Sequence, residues 1–168
     1  MLTPIQQHFR NSMAKLAAGV NIITTNGIAG KCGITATAVC SVTDTPPTIM
    51  VCINKNSEMN PVFQTNKHLC VNVLSAEQLE LAQHFAGFMG SCMDERFEWA
   101  VWHEKQDPVA PPSLKNALAN LTGTIVDIRN IGTHSMFLVE LEEIQVNEEQ
   151  EHALVYFSRQ FHTVGTSE

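Results

Sequence analysis

The chain has 168 residues, enough for one domain with a sizeable core, and its 44% hydrophobic and 16% charged residues are the mix of an ordinary globular protein with little charge. A formal net charge of −7 argues against nucleic acid or an anionic membrane as partner, because either needs a basic face to displace counterions. Sparse charge fits a surface buried against a second subunit and fits equally a compact monomer with a Ser, Thr and Asn surface.

A phosphate-bearing small molecule stays compatible with this charge, with Lys31, Lys55, Lys67 and Arg159 as donors. No apolar run reaches the roughly 20 residues of a membrane span, and the first residues lack the pattern of a signal peptide, so the cytoplasm is the expected compartment. The five cysteines, Cys32, Cys40, Cys52, Cys70 and Cys92, contain no C-x-x-C pair. A disulfide framework or a zinc site is therefore not expected, and Cys40, Cys52 and Cys70 read as small hydrophobes within strands.

Thr3-Pro4-Ile5-Gln6 has the form of a capping box, and Phe9, Met13, Leu16 and Ala17 recur at helical spacing. This predicts a helix over residues 4–17 that lays one face on the body. Residues 20–25 read as a strand, followed by an Asn26-Gly27 turn. Residues 33–43, GITATAVCSVT, form a hydroxyl-rich strand without charge, ended by the double proline Pro46-Pro47. Such a strand suits a neutral, planar, hydrogen-bonding ligand; equally, threonine is a good strand former and Thr35 and Thr37 could face water.

Residues 49–53 read as a fully buried strand, 59–66 as a short helix and 69–74 as a further strand. Ser75-Ala76-Glu77-Gln78 is a second capping box, opening a helix with Leu79, Ala82, Phe85 and Ala86 on one face and Gly87 at its end. Residues 87–115 read as a long irregular excursion carrying Trp99 and Trp102, either a lid or a subunit contact. Three strands, about 118–128, 135–146 and 153–157, complete the chain. Many short strands and few helices predict a mainly β fold, a small barrel rather than a doubly wound sheet.

Fingerprints for Rossmann and P-loop nucleotide sites, zinc hydrolases and serine hydrolases are absent, which leaves hydrolytic and metal chemistry unsupported and no metal expected. Of seven histidines, His134 stands out because it follows Gly132-Thr133 at the head of a strand. The Asn54-Lys55-Asn56-Ser57 loop could offer several donors to a phosphate or could be a plain polar turn.

Several segments, in order, carry a resemblance: GITATAVCSVTDTPP, VCINKNSEMNPVF, LCVNVL, HFAG, GTH and LVYFSRQFH. Together they resemble the short-chain flavin reductase family, over nearly the whole chain. The resemblance implies one flavin reductase domain over residues 1–168, folded as a split β-barrel of the FMN-binding type and paired as a homodimer. It implies use of NADH to reduce FAD or FMN, with reduced flavin passing to a separate monooxygenase that hydroxylates a phenol of the 4-hydroxyphenylacetate type. Reductases of pyrimidine breakdown share GTH and LVYF, and a flavin-binding or redox-sensing barrel without turnover is a further alternative.

Carried over residue by residue, the resemblance places the flavin ring against Thr35, Ala36, Thr37, Ala38, Ser41 and Val42. Asn54, Lys55 and Ser57 would hold the ribityl phosphate, with His84, Phe85 and Ala86 closing that side. His134 would be the catalytic residue, and with Tyr156 and Arg159 it would line the nicotinamide and its pyrophosphate. Many relatives have Gly-Asp-His where this chain has Gly132-Thr133-His134, so a charge at the middle position has no counterpart here.

Overall fold

The computed structural model describes residues 1–165. The chain opens with helix α1 (Pro4–Met13), where the Thr3 capping box forms as the sequence predicts. Short strand β1 (Ala18–Gly19) then leads into β2 (Asn21–Thr25) and β3 (Cys32–Ala36). Next come β4 (Val39–Asp44), β5 (Pro47–Asn54), helix α2 (Asn60–Asn66) and β6 (His68–Val73). A 3-10 turn at Ala76–Gln78, opened by the Ser75 capping box, precedes α3 (Leu79–Phe85), and α4 (Met93–Glu98) follows. Strands β7 (Ala119–Ile131), β8 (His134–Val146), β9 (His152–Phe157) and β10 (Gln160–Gly165) close the described chain.

Seven strands form one antiparallel sheet in the order β3-β2-β6-β7-β8-β5-β4, and β1, β9 and β10 form a second, smaller one. The hydroxyl-rich segment is not one strand. It breaks at Thr37-Ala38, and its halves, β3 and β4, are the two opposite edges of the large sheet. A flat sheet of this width would hold its edges about 29 Å apart. Three Cα steps from residue 36 to 39 span at most about 11 Å, so the sheet curls until its edges approach.

Inside the curl lies the main core, with Ile23, Val51, Phe63, Leu69, Val71, Phe137 and Val139 buried. A second core forms outside it, where Ile22, Leu74, Ala82, Phe85, Leu114 and Leu154 pack together. Strand β2 serves both: Ile23 points inward and Ile22 outward, so all five of its residues are buried. Gly33 lets α3 close on the edge strand, since a Cβ there would stand 2.8 Å from the ring of Phe85.

Four expectations are corrected by this packing. Helix α1 stops at Met13 and buries none of its residues; Ile5, Phe9 and Leu16 are 74%, 62% and 64% exposed, so the apolar stripe does not lie on the body. Strand β5 alternates, with Ile49, Val51 and Ile53 buried and Met50 and Cys52 half-buried on the outer face. Cys40 is accordingly exposed, and of the three strand cysteines only Cys70 is fully buried.

The fourth correction is to the irregularity of residues 87–115, which include α4; the segment also packs on its own chain. Phe97 and Trp102 meet the Phe85 ring edge-on at 5.7 and 5.9 Å. The segment's end is fastened where Asn72 accepts from Leu114 N and from Asn120 Nδ2, both at 2.8 Å.

Candidate functional site

Two loops meet at one end of the large sheet. Asn54, the last residue of β5, pairs with His134, the first of β8, and Lys55 N donates to Thr133 O at 2.9 Å. The β7–β8 turn is tight because Gly132 takes φ +55, which a glycine adopts without strain. The loop after β5 is pinned from below by Asn60, 2% exposed, whose Nδ2 donates to Ile53 O and whose Oδ1 accepts from Gln64 at 2.6 Å. Asn54 Oδ1 accepts from Asn56 N at 2.8 Å and Ser57 Oγ accepts from Met59 N at 3.3 Å. That leaves the Asn54 amide N–H groups, the Ser57 hydroxyl proton and the Lys55 ammonium as outward donors, the set a phosphate needs.

His134 is exposed, and its Nδ1 lies 2.8 Å from the Thr133 hydroxyl. A hydroxyl serves either ring tautomer, whereas a carboxylate at that position would only accept. Thr133 thus takes over orientation of the ring without adding charge.

Thr37 and Ala38 stand exposed beside this end. Cys52 N, two residues before Asn54, donates to Ala38 O at 3.0 Å, so the segment joining the sheet edges borders the polar loop. Thr37 and Ala38 also line a cleft of about 810 Å³ between α1 and the small sheet, and Tyr156 and Arg159 line its other wall. Arg159 sits in the β9–β10 turn at φ +63, and its Nη2 donates to Asn11 Oδ1 at 2.9 Å. Four of the expected site residues therefore share one cavity. Sequence reasoning missed the α1 side of it, including Arg10 and Asn11, because the helix was expected to pack as core.

A third group behaves differently. The Thr35 hydroxyl donates to Ala82 O at 2.7 Å and so fastens α3 to the sheet edge; its proton is not free for a ligand. Ala36 has its carbonyl bound by Asn21 Nδ2 at 3.2 Å. Phe85, expected with His84 and Ala86 to close the phosphate side, is 2% exposed and its side chain belongs to the second core. Ala86 caps α3.

His84 Nδ1 meets Ser91 Oγ at 2.8 Å, and that oxygen also accepts from Arg96 Nε at 2.7 Å. The His84 ring stands edge-on to Trp99 at 4.7 Å, on a separate cavity of about 420 Å³. Its neighbours tie it to the 87–115 segment rather than to the His134 end. Ser41 and Val42 lie exposed on edge strand β4.

Three of the thiols, Cys32, Cys52 and Cys70, are held in the protonated form at neutral pH. Burial pushes Cys32 up to about 12 and Cys70 up to about 11, and Cys52 is raised by burial and by nearby Cys40.

Residues 13–165 match the model of the flavin reductase like domain. The chain belongs to the flavin reductase like family. Within this family it is 60% identical to the 4-hydroxyphenylacetate 3-monooxygenase reductase component of Pseudomonas aeruginosa, over 96% of this chain and 93% of that one. It is 42% identical to the FMN reductase (NADH) RutF of Cronobacter sakazakii, over 95% of this chain and 93% of that one. Among solved structures, the flavin reductase PheA2 in its native state superposes with a TM-score of 0.83 at 31% identity, covering 95% of this chain and 98% of that one.

The residues present fit the flavin such a family implies. The end of the sheet offers uncharged ring-edge groups at Thr37 and Ala38, and a loop with three kinds of phosphate donor lies beside them. When bound, the flavin accepts a hydride from the nicotinamide, and the chain need supply only position and polarity.

Proposed function

We propose that this protein is an NADH-dependent flavin reductase that reduces FAD or FMN and supplies the reduced flavin to a separate 4-hydroxyphenylacetate-type monooxygenase. The observation that carries the reading is the convergence of Asn54, Lys55 and His134 at one end of the sheet, beside the cleft that holds Thr37, Tyr156 and Arg159. Asn54, Lys55 and Ser57 hold the flavin phosphate, Thr37 and Ala38 meet the ring with Ser41 and Val42 at its rim, and His134 faces the reacting nicotinamide. Identity of 60% to a reductase component named for that monooxygenase, against 42% to the FMN reductase, favours the phenolic pathway.

The test mixes purified protein with NADH, with and without added FAD or FMN, and follows NADH absorbance. Oxidation that depends on added flavin is expected, and its absence overturns the proposal. A 4-hydroxyphenylacetate oxygenase supplied in trans should then hydroxylate its substrate at the expense of NADH.

The curled sheet is read as a split β-barrel, with residues 1–168 as one functional domain acting in the cytoplasm as a homodimer. Support for the dimer comes from the outer face of β4, β5 and β8. The register places Cys40, Met50 and Leu138 in one row there and Cys52 and Met136 in the next, two uncharged rows exposed at Cys40 and half-buried at the other four. Sedimentation of the wild type should give a dimer and Met50→Lys a monomer; a monomeric wild type overturns this part.

A further inference from the structure

The cleft beneath α1 has a chemistry its neighbourhood does not share. The protein carries 17 Asp and Glu against 10 Lys and Arg, yet none of the described residues lining this cavity is acidic and two are arginines, Arg10 and Arg159. Beside the polar Gln7, Asn11 and Thr37, its wall carries apolar surface from Phe9 and Met13 of α1, from Leu16 just after the helix and from Tyr156 of the sheet. Arg10 has no carboxylate partner among the described residues. Asn11 Oδ1 accepts from Gln7 Nε2 at 3.1 Å as well as from Arg159 Nη2 at 2.9 Å, so the α1 amide fixes one edge of the Arg159 guanidinium and leaves its other donors free.

Two guanidinium groups over an aromatic and aliphatic wall make a site for an anion joined to a flat ring system, and a volume of about 810 Å³ is in the range of small-molecule sites. The stripe of α1 that the body leaves uncovered forms one wall of it.

We propose that α1 is part of the dinucleotide site: Arg10 binds the NADH pyrophosphate, and Asn11 is a positioning residue that aims Arg159 at the same group. This rests on the reductase reading and adds to it a binding residue and a positioning residue from an element outside the resemblance-derived site. None of the helix residues is buried and polar contacts such as Asn11 to Arg159 hold the segment to the small sheet, so a bound dinucleotide contributes to holding it in place.

Isothermal titration with ADP-ribose, which carries the pyrophosphate but transfers no hydride, tests the cleft without turnover. The wild type should bind, and Arg10→Ala and Asn11→Ala should each weaken binding at least fivefold, with Arg10→Lys between Arg10→Ala and the wild type because a point charge replaces the fork. In turnover, KM for NADH should rise in Arg10→Ala while kcat changes less than twofold. The loss with NADH should exceed by at least fivefold the loss with 1-benzyl-1,4-dihydronicotinamide, which has no phosphate.

A wild type that binds no ADP-ribose, or an Arg10→Ala protein that binds it as well as the wild type, overturns the inference. So does an equal loss with both hydride donors, which would mark Arg10 as structural. Failure of the wild type to oxidise NADH with any flavin overturns the reductase reading instead, and the titration still judges the cleft.

Discussion

On the His134 side of the candidate site, the polar loop continues β5, a strand paired on both sides, its register is set by the β5–β8 ladder, and a buried asparagine anchors it from beneath. On the α1 side, no helix residue is buried, and the helix and the two residues after it touch the small sheet through the Asn11 to Arg159, Lys15 to Ser158 and Ser158 to Ala14 contacts. The first wall is pre-organised and the second is adaptable. A flavin that must present one ring face to an incoming donor benefits from the first kind, because ordering has already been paid for in folding. A dinucleotide that enters and leaves on every cycle is served by the second, since a weakly held wall opens at little cost in free energy.

The sharpest way to break this contrast is to remove the anchor. Asn60→Ala deletes the donor to Ile53 O and the acceptor for Gln64, and should cost about 1–3 kcal/mol of stability with a weaker hold on flavin. Thermal unfolding and flavin titration read both effects. Stability that drops while flavin affinity stays unchanged would show that the loop after β5 is not the phosphate site.

His134→Ala addresses the chemistry of the same wall. Its side chain is exposed and its hydrogen bond is to the adjacent Thr133, so stability should change by less than about 0.5 kcal/mol. Turnover with NADH should fall about tenfold, or roughly 1.4 kcal/mol in the barrier, while flavin affinity changes less than about threefold. Equal losses in steady-state turnover and in equilibrium flavin binding would move His134 from the nicotinamide to the flavin.

How far the sequence anticipated this arrangement depends on what kind of signal each part needed. Both capping boxes, at Thr3 and Ser75, form as expected because a cap is a local contract between residues three apart. Strands β2, β6 and β8 follow from β-branched runs. The break at Thr37-Ala38 left no mark, since neither residue is a glycine or proline; the curl of the whole sheet imposes it. Strand β10 was missed for a related reason: the turn before it uses Ser158 and Arg159 at φ +50 and +63, positions where glycine or asparagine would have announced a hairpin.

Helix α1 misled most. Its apolar spacing is real, but spacing tells which face is apolar and not what covers it. Phe85 shows the converse: in a segment expected to close on a ligand, its ring fills the second core. The pairing of Asn11 with Arg159 joins residues 148 positions apart and has no local signature.

Alkaline pH probes the anchored half alone, because Cys32 and Cys70 lie on β3 and β6, away from α1. Above pH 9 the unfolded chain releases thiol protons at the ordinary value of 9.0, whereas the folded chain keeps them to about 12 at Cys32 and about 11 at Cys70. The folded state then binds more protons than the unfolded, so stability falls as pH rises through that interval and is untouched by these groups below it. Melting curves between pH 8 and 11 should show the decline, and Cys32→Ala should flatten it. A decline of the same slope in the variant would assign it to other groups.

The smallest expected effect lies on the other wall, and it tests the contrast most directly. Phe9 is 62% exposed and touches the cleft rather than the core, so Phe9→Ala should alter unfolding free energy by less than about 0.5 kcal/mol, against the 3–5 kcal/mol typical of a core phenylalanine. If α1 is the adaptable wall, the substitution leaves the melting temperature nearly in place and weakens ADP-ribose binding through the lost apolar surface. A large fall in melting temperature would mean that Phe9 is buried against a second copy of the chain. The helix would then belong to the dimer contact, and the two walls would differ in which subunit supports them rather than in how firmly they are held.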